Sequence, residues 1–547
     1  MKVAFAQLNY TIGDFEGNSD KIVSTIEKAK NNGADLVIFS ELSVTGYYPH
    51  DLLEKKEFIQ KAEETVLKIA GICNGIAAIV GAPRINESEH GKKLYNSAFF
   101  LSEGKIQSIH NKTLLPTYDI FDEYRHFEPN NEFCIVKHKG ENIAITICED
   151  LWDEQPSASE FGKDKLYQIS PMEELIKFNP DFVVNISASP FSYNQEDWRK
   201  NVLISKAKKY KVPVLYINQV GAQTELIFDG GSVFISKTGE ILKELKYFYE
   251  DFLIVDTKYI GGKQVQNPSG TIEKIHDALV MGIRDYFWKM NFKQATLGLS
   301  GGIDSAVTLV LAVRALGAEN VRVLLMPSKY SSGHSLEDAR QLAENLNVRY
   351  DVVNIQNAVD KFENELAPLF KGTSFGVTEE NIQARVRGIF VMAISNKFGH
   401  ILLNTTNKSE SAVGYGTLYG DMNGGLAVIG DVYKMDVFKL SRFMNKDGEI
   451  IPENSIVKPP SAELRPDQKD TDSLPEYEDL DQILFNYLEL NKSPQEIVEI
   501  GFNENVVTRV IRMVNMNEYK RFQAAPILRI SSKAFGFGRK MPLVAKY

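Results

Sequence analysis

The sequence is poor in cysteine, with only Cys73, Cys134 and Cys148 among 547 residues. Three widely separated thiols predict neither a disulfide framework nor a CxxC metal site. We therefore expect a reducing, cytoplasmic environment. Long apolar runs are also missing, because none approaches the roughly 18 residues that cross a bilayer. The opening stretch MKVAFAQLNY predicts a strand rather than a signal peptide.

Basic residues are fewer than acidic ones: the sequence has 62 Lys and Arg and 72 Asp and Glu, which gives a net charge of −10. This balance argues against a general nucleic-acid binder. It does not exclude a small anionic substrate, because the local charge of the binding loops determines whether such a substrate binds. The remaining composition, 43% hydrophobic and 24% charged, is that of a globular protein with more than one core.

The order of strand and helix patterns predicts two α/β domains. In the first, hairpin turns such as SEGK, HKGEN and KTGE indicate a mixed sheet within residues 1–255. The polar, Gly-containing stretch KYIGGKQVQNPSG lies in a predicted linker, 256–270. Repeated strand–helix units then predict a doubly wound parallel sheet for 271–547.

The stretch LGLSGGIDSAV, at 297–307, carries the most specific signal of the second domain. Gly301 and Gly302 let the backbone approach an anion, and the helix that follows supplies free N–H groups. Asp304 would repel a phosphate unless it holds Mg²⁺. The Gly-Lys-Ser/Thr ending of a Walker A motif is missing. The competing interpretation is a tight turn with glycine for packing alone.

This loop resembles that of the ATP pyrophosphatases, which cleave ATP between the α- and β-phosphates. Further segments follow in order and together resemble the NAD⁺ synthetases over essentially all of 270–547. These segments are ENIQARVRG (380–388), LLNTTNKSES (402–411), GYGTLYGD (414–421), VYKMDVF (432–438), PPSAEL (459–464) and SSKAFGFGRK (531–540). That family adenylates the nicotinate carboxylate of deamido-NAD⁺, and ammonia then displaces AMP.

The resemblance implies three sets of site residues. The implied ATP site is Gly298, Leu299, Ser300, Gly301, Gly302, Ile303, Asp304, Ser305, Thr405 and Lys434. The implied deamido-NAD⁺ site is Asn381, Arg385, Glu410 and Lys533. The implied Mg²⁺ ligands, which act with ATP, are Asp304 and Glu410. The sequence departs from the family pattern at Leu418, where many ammonia-using relatives carry lysine.

The stretch ITICEDLWD, at 145–153, places Cys148 directly before two acids. Adjacent carboxylates make a thiolate harder to form, so a buried structural thiol, a metal ligand and a nucleophile are all open. Glu41 ends the predicted strand DLVIFSE and Lys112 follows another predicted strand, and loops at strand ends converge on a rigid platform. Together the three side chains suit amide hydrolysis by a general base, an oxyanion-stabilising cation and a nucleophile.

This ordered Glu–Lys–Cys set resembles the nitrilase superfamily, which implies a four-layer αββα sandwich over about 1–250. Beside the second half, it resembles the glutaminase part of the glutamine-dependent NAD⁺ synthetases. The implied glutamine contacts are Tyr118, Ser189 and Gln195, although many relatives have a basic residue at the position of Gln195. The expected enzyme is a homo-oligomeric ligase with small-molecule substrates and no nucleic-acid or membrane partner.

The side chains outside this set have structural interpretations. We expect Cys73 and Cys134 to be inert thiols, and His110 and His126 to be hydrogen-bonded structural residues. Two alternative functions stay open for the chain. One is another glutamine-dependent ATP pyrophosphatase that aminates a different substrate. The other is a synthetase whose first half is a degenerate, non-catalytic scaffold.

Overall fold

A computed structural model describes residues 1–154, 166–194, 196–258, 263–266 and 269–545. The chain divides into two compact units, Met1–Pro268 and Ser269–Tyr547.

The first unit consists of strands with helices on both sides. Its strands are β1 (Lys2–Gln7), β2 (Leu36–Ile38), β3 (Ala77–Ile85), β4 (Leu94–Ser102), β5 (Lys105–Asn111), β6 (Val136–His138), β7 (Glu141–Ile147), β8 (Phe182–Ser187), β9 (Val214–Asn218), β10 (Val220–Gln223), β11 (Leu226–Asp229), β12 (Val233–Ile235), β13 (Ile241–Glu244) and β14 (Asp251–Asp256). Its α-helices are α1 (Phe15–Asn31), α2 (Lys56–Ile72), α3 (Pro171–Leu175) and α4 (Glu196–Tyr210).

Two six-stranded mixed sheets form the middle of this unit, in the orders β14-β1-β2-β3-β4-β5 and β13-β12-β9-β8-β7-β6. One apolar core joins them, with Phe5 and Leu36 from the first sheet and Ile145 and Leu215 from the second. The outer face of the first sheet packs on α1 and α2, and that of the second packs on α3 and α4. The predicted αββα sandwich is therefore confirmed.

The hairpins follow the turn chemistry of the sequence. The SEGK turn joins β4 to β5, and the KTGE turn joins β12 to β13, both as antiparallel pairs. Gly104 and Gly239 have φ of +74° and +80° in these turns, a region that glycine enters without steric cost.

The second unit consists of one sheet and many helices. Its strands are β15 (Ala295–Gly298), β16 (Val321–Leu325), β17 (Arg349–Val352), β18 (Ile401–Asn404) and β19 (Leu426–Ala427). Its helices are α5 (Thr271–Lys289), α6 (Ile303–Leu316), α7 (Gly333–Asn345), α8 (Gln356–Leu366), α9 (Val377–Phe398), α10 (Lys408–Val413), α11 (Lys434–Met444), α12 (Glu453–Val457), α13 (Tyr477–Leu488), α14 (Pro494–Glu499), α15 (Glu504–Met516) and α16 (Glu518–Arg521).

The five strands of this unit are all parallel, in the order β17-β16-β15-β18-β19. The chain order reverses beside β15, which is where ligands bind in open α/β sheets. The predicted doubly wound sheet is confirmed, and the loop after β15 lies at its switch point.

Candidate active sites

Three strand ends of the first unit bring the predicted catalytic side chains together. Glu41 lies shortly after β2, Lys112 directly after β5, and Cys148 directly after β7. The Lys112 Nζ atom donates to Glu41 Oε1 at 2.7 Å. Glu41 and Lys112 are fully buried, and the Cys148 residue is 7% exposed. The three residues are thus buried, and charges interact strongly in such surroundings.

A second carboxylate, Glu123, completes this charge cluster. Its Oε1 atom accepts from Lys112 Nζ at 2.8 Å and from the Tyr47 hydroxyl at 2.7 Å. Burial raises the pKa of Glu123 to about 7, although the charge of Lys112 opposes this. Burial alone would lower the pKa of Lys112, but the charges of Glu123 and Glu41 raise it well above its ordinary value. Lys112 is therefore a permanent cation.

Glu41 is held in place by two further donors. The Asn96 side-chain amide donates to Glu41 Oε1 at 2.7 Å, and the backbone N–H of Ala188 donates to Oε2 at 3.0 Å. These bonds fix the carboxylate at the strand end with one orientation, as a positioned proton acceptor requires.

The chain turns sharply at Cys148, whose φ is +43°. Such a backbone is uncommon for a non-glycine residue and marks a position that the surrounding structure imposes. Asp150 supports the turn, because Oδ2 accepts from the Ile147 N–H and Oδ1 accepts from the N–H groups of Thr113 and Leu114. The turn is thereby tied to the segment that follows Lys112.

The thiol of Cys148 is not a resident thiolate. Burial raises its pKa well above the ordinary value, and the negative charge of Glu41 adds to this rise. Lys112 opposes the rise without cancelling it. A nucleophilic role for this thiol would therefore need a base at the moment of reaction.

The predicted glutamine contacts lie around this thiol where they are described. Ser189 Oγ is 3.6 Å from Cys148 Sγ. The Tyr118 hydroxyl donates to Glu149, as does the hydroxyl of Tyr167 at 2.9 Å. Gln195 lies outside the described residues.

The other cysteines and histidines of this unit have different surroundings. Cys73 is buried, and burial raises its pKa to about 12. Cys134 is exposed, with its sulfur 3.7 Å from Nδ1 of His110. Burial lowers the pKa of His110 to about 4, so this imidazole is neutral at physiological pH. Nδ1 of His126 is 2.7 Å from the Tyr48 hydroxyl.

In the second unit, the loop between β15 and α6 has the geometry of an anion cradle. Gly301 has φ of +83°, and a Cβ atom there would lie 2.1 Å from the backbone oxygen of Ser335. Only glycine fits this approach. Ser300 Oγ lies 3.1 Å from Ser305 Oγ and accepts from the N–H of Gly302 at 3.2 Å. The start of α6 adds unpaired N–H groups and a partial positive charge.

Two carboxylates meet one lysine beside this loop. Lys434 Nζ lies 2.6 Å from Asp304 Oδ2 and 3.2 Å from Glu410 Oε1. Burial raises the pKa of Glu410 to about 8, and the charge of Asp304 contributes to the rise. An added divalent cation would relieve this repulsion. The paired carboxylate oxygens therefore fit the hard-ligand preference of Mg²⁺.

The remaining predicted residues of this unit lie on α9, in the loop after β18 and in the C-terminal segment. Asn381 on α9 accepts from the Thr417 hydroxyl at 2.6 Å, and Arg385 donates to the Leu418 carbonyl at 3.2 Å. Thr405 directly follows β18. The carbonyl of Lys533 accepts from Nζ of Lys408 at 3.0 Å.

Comparison with known proteins covers the chain from end to end. Residues 2–260 match the carbon-nitrogen hydrolase family and residues 275–524 match the NAD synthase family. The chain is 45% identical to the glutamine-dependent NAD⁺ synthetase of a Synechocystis species, with 100% of this chain and 99% of the relative aligned. The chain belongs to the glutamine-dependent NAD⁺ synthetase family.

Two further relatives of this family agree over the same length. The synthetase of Thermotoga maritima is 39% identical, with 100% of this chain and 99% of the relative covered. A solved structure of the Acinetobacter baumannii synthetase, in complex with adenosine diphosphate, is 38% identical. It superposes with a TM-score of 0.78, over 99% of this chain and 98% of that chain. These full-length matches favour an NAD⁺ synthetase over an ATP pyrophosphatase of another type.

Two residues that contact the predicted site residues, Asn407 and Glu123, were not predicted from the sequence. Asn407 caps α10 by accepting from the Glu410 N–H, and its amide donates to Asp304 Oδ1 at 2.8 Å. The N-x-x-E spacing of this capping box was visible in the sequence. Glu123 carried no such signal.

No helix within the described residues is long and apolar enough to cross a membrane.

Proposed function

We propose that this chain makes NAD⁺ from deamido-NAD⁺, ATP and glutamine, releasing AMP, pyrophosphate and glutamate. One observation carries the proposal: a single chain holds a buried Glu41–Lys112–Cys148 site and, in its second unit, an anion loop flanked by Asp304 and Lys434. We assign glutamine hydrolysis to residues 1–255, a linker to 256–270 and NAD⁺ synthesis to 271–547.

In the first reaction, Glu41 takes the proton of the Cys148 thiol, and the sulfur attacks the side-chain amide carbon of glutamine. Glu41 returns the proton to the departing ammonia, and water then hydrolyses the thioester to glutamate. Lys112 donates two N–H bonds to the carboxylates within the described structure. An ammonium group has three donors, so we assign the third to the developing oxyanion.

The substrate needs contacts at its polar end as well. We assign Tyr118 and Ser189 to glutamine, because one bonds Glu149 beside the nucleophile and the other lies against the sulfur. The buried carboxylate of Glu149 suits the α-ammonium group of an amino acid. Gln195 keeps its role as a prediction.

In the second reaction, the nicotinate carboxylate attacks the α-phosphorus of ATP and displaces pyrophosphate. Ammonia then attacks the acyl-adenylate carbon and displaces AMP. The 298–305 loop and Lys434 suit the phosphates, since N–H groups and an ammonium offset their charge. Asn381, Arg385, Glu410 and Lys533 are assigned to the dinucleotide, and Thr405 to ATP.

Asp304 and Glu410 are the residues that would hold Mg²⁺. When bound, this ion supplies neutralisation of the negative charge that develops on the leaving pyrophosphate. We further propose that the enzyme works in the cytoplasm as a homo-oligomer, as the resemblance to the family implies.

Replacement of the nucleophile tests the proposal. In Cys148→Ala, NAD⁺ formation with glutamine should fall at least about 1,000-fold, because a covalent step is lost. Formation with added ammonia should persist at the wild-type rate. Cys134→Ala is the matched control and should behave as wild type in both assays.

Two results would overturn the proposal. Equal glutamine-driven synthesis in Cys148→Ala would make the first unit a scaffold. Absence of NAD⁺ from deamido-NAD⁺, ATP and ammonia in the wild-type protein would remove the assigned synthetase activity.

A further inference from the structure

The first unit carries a cluster of side chains of the types that ligate metals, which does not include Cys148. Asp51 and Glu54 lie on a 3-10 helix, His50–Glu54, and His126 directly follows a second one, Glu123–Arg125. Within the described residues, these are the three His, Cys, Asp or Glu side chains whose ligand atoms all lie within 4.8 Å of one another. Nε2 of His126 is 3.6 Å from Asp51 Oδ1 and 3.7 Å from Glu54 Oε1.

The imidazole supplies an independent observation. His126 is only 8% exposed, and its Nε2 atom has no hydrogen-bond partner in the part of the chain that the structure describes. Buried polar atoms are normally paired, so this nitrogen needs an explanation. Nε2 lies near Asp51 Oδ1 and Glu54 Oε1, but both distances are too long for a hydrogen bond. Ligand bonds of about 2.1 Å around a tetrahedral Zn²⁺ give ligand–ligand separations of about 3.4 Å. The two separations from Nε2 of His126 to the carboxylate oxygens, 3.6 and 3.7 Å, are close to this value.

The other ring nitrogen of His126 has a partner that is compatible with the tautomer such an ion requires. Nδ1 of His126 is 2.7 Å from the Tyr48 hydroxyl, which in turn donates to the Asp122 carbonyl at 3.4 Å. When the phenol proton lies on the Asp122 carbonyl, Tyr48 accepts from Nδ1–H. The lone pair then resides on Nε2. A metal-ligating histidine commonly has its second ring nitrogen anchored in this way.

Arg125 already offers a positive charge to the carboxylates. Its Nη2 atom lies 3.0 Å from Asp51 Oδ1 and 3.7 Å from Glu54 Oε1. Its side chain is 52% exposed, so it can move into solvent. Arginine has no lone pair to accept from histidine and cannot act as a ligand. It therefore competes with a metal ion for the acids and leaves Nε2 of His126 unsatisfied.

We propose that Asp51, Glu54 and His126 bind a divalent transition-metal ion of the zinc class, with water at a fourth position. One imidazole nitrogen favours such an ion over Mg²⁺, which prefers oxygen ligands throughout. The site would join the segment that begins at Tyr47 to the segment that begins at Asp122. Tyr47 bonds Glu123, so the ion would stiffen the support of Lys112.

The test uses the full-length, metal-free protein and Zn²⁺ as the probe. Calorimetric titration in excess Mg²⁺, which saturates Asp304 and Glu410, should show a zinc site in wild type. The double variant Asp51→Asn/Glu54→Gln should bind at this site at least about 100-fold more weakly, since outer-shell changes alone cost about 10- to 100-fold. Both acids are mainly exposed, at 64% and 58% of their side chains, so folding should be retained.

Further variants locate the ion. Glu57→Gln, on the exposed start of α2, is the matched control and should bind zinc as wild type does. Tyr48→Phe should weaken binding about 10- to 100-fold through loss of the outer-shell bond. Arg125→Gln should tighten it, because the competing cation is gone. Equal zinc binding by wild type and the double variant, or none by wild type at micromolar zinc, would overturn the proposal.

Discussion

At the scale of single residues, the first site depends on how charge is divided around Cys148. The two acids that follow it have separate tasks. Asp150 accepts three backbone N–H bonds and shapes the turn, while Glu149 accepts from Tyr118 and Tyr167. Because φ of Cys148 is positive, the thiol does not follow the alternation of β7. Acids that look unfavourable beside a nucleophile in sequence thus belong to its framework.

The residue that sequence reasoning could not find, Glu123, sets the charge of the site. With two carboxylates, Lys112 offsets only part of the charge on Glu41. In Glu123→Gln, Lys112 would pair with Glu41 alone. The full positive charge beside Glu41 would then lower the affinity of the Glu41 carboxylate for the thiol proton of Cys148. We expect kcat for glutamine to fall about 10- to 100-fold, a modest share of what general-base catalysis contributes.

Ammonia-driven NAD⁺ formation is the internal control for Glu123→Gln and should not change. Glu123→Asp keeps the charge and should recover part of the glutamine activity. Steady-state assays with both nitrogen sources measure these effects. Wild-type glutamine turnover in Glu123→Gln would show that the second carboxylate is structural only.

At the scale of elements, patterns within one segment were readable, and contacts between distant segments were not. The apolar run before SGGIDS and the glycines predicted a strand, a turn and a helix from about Ile303, and α6 begins there, although β15 ends at Gly298 rather than at the predicted Ser300. The run DLVIFSE predicted a strand through Glu41, yet β2 ends at Ile38. The chain leaves the sheet there and reaches a left-handed Leu42, with φ of +46°. Such a turn depends on tertiary contacts, which periodicity does not encode.

The buried lysine of α10, Lys408, makes contacts with distant segments that the sequence pattern did not predict. Lys408 Nζ lies 2.9 Å from Glu489 and 3.0 Å from Asp431, and it donates to Ser531 and to the Lys533 carbonyl. In Lys408→Met, two buried carboxylates lose their cation, which costs about 3 kcal/mol or more. The 531–535 segment should lose its protection from hydrogen exchange.

The activity pattern of Lys408→Met follows from the proposed role of Lys533. NAD⁺ formation should fall with both glutamine and ammonia, while glutamate release at Cys148 stays unchanged. Lys397→Met, which alters an exposed lysine on α9, is the control and should match wild type. Unchanged exchange at 531–535 would contradict the anchoring role.

At the scale of the whole molecule, the chain consists of two units that each have their own apolar interior. The core between the sheets of the first unit includes Leu215, and a helical core of the second unit includes Leu480. Composition and motif order predicted two domains and their folds. Composition and motif order could not show which side chains from distant segments share a core, because that depends on the tertiary fold of each unit.

Matched core substitutions follow from this division. Leu215→Ala and Leu480→Ala each remove a fully buried leucine, at about 2 to 5 kcal/mol. Each should lower the melting temperature of its own unit by about 5 to 15 °C and leave the other transition nearly in place. Differential scanning calorimetry measures both transitions in one sample. Loss of glutamate release on heating should track the Leu215 transition, and loss of ammonia-driven synthesis the Leu480 transition. A single transition that both substitutions lower equally would mean that the two cores unfold as one cooperative structure.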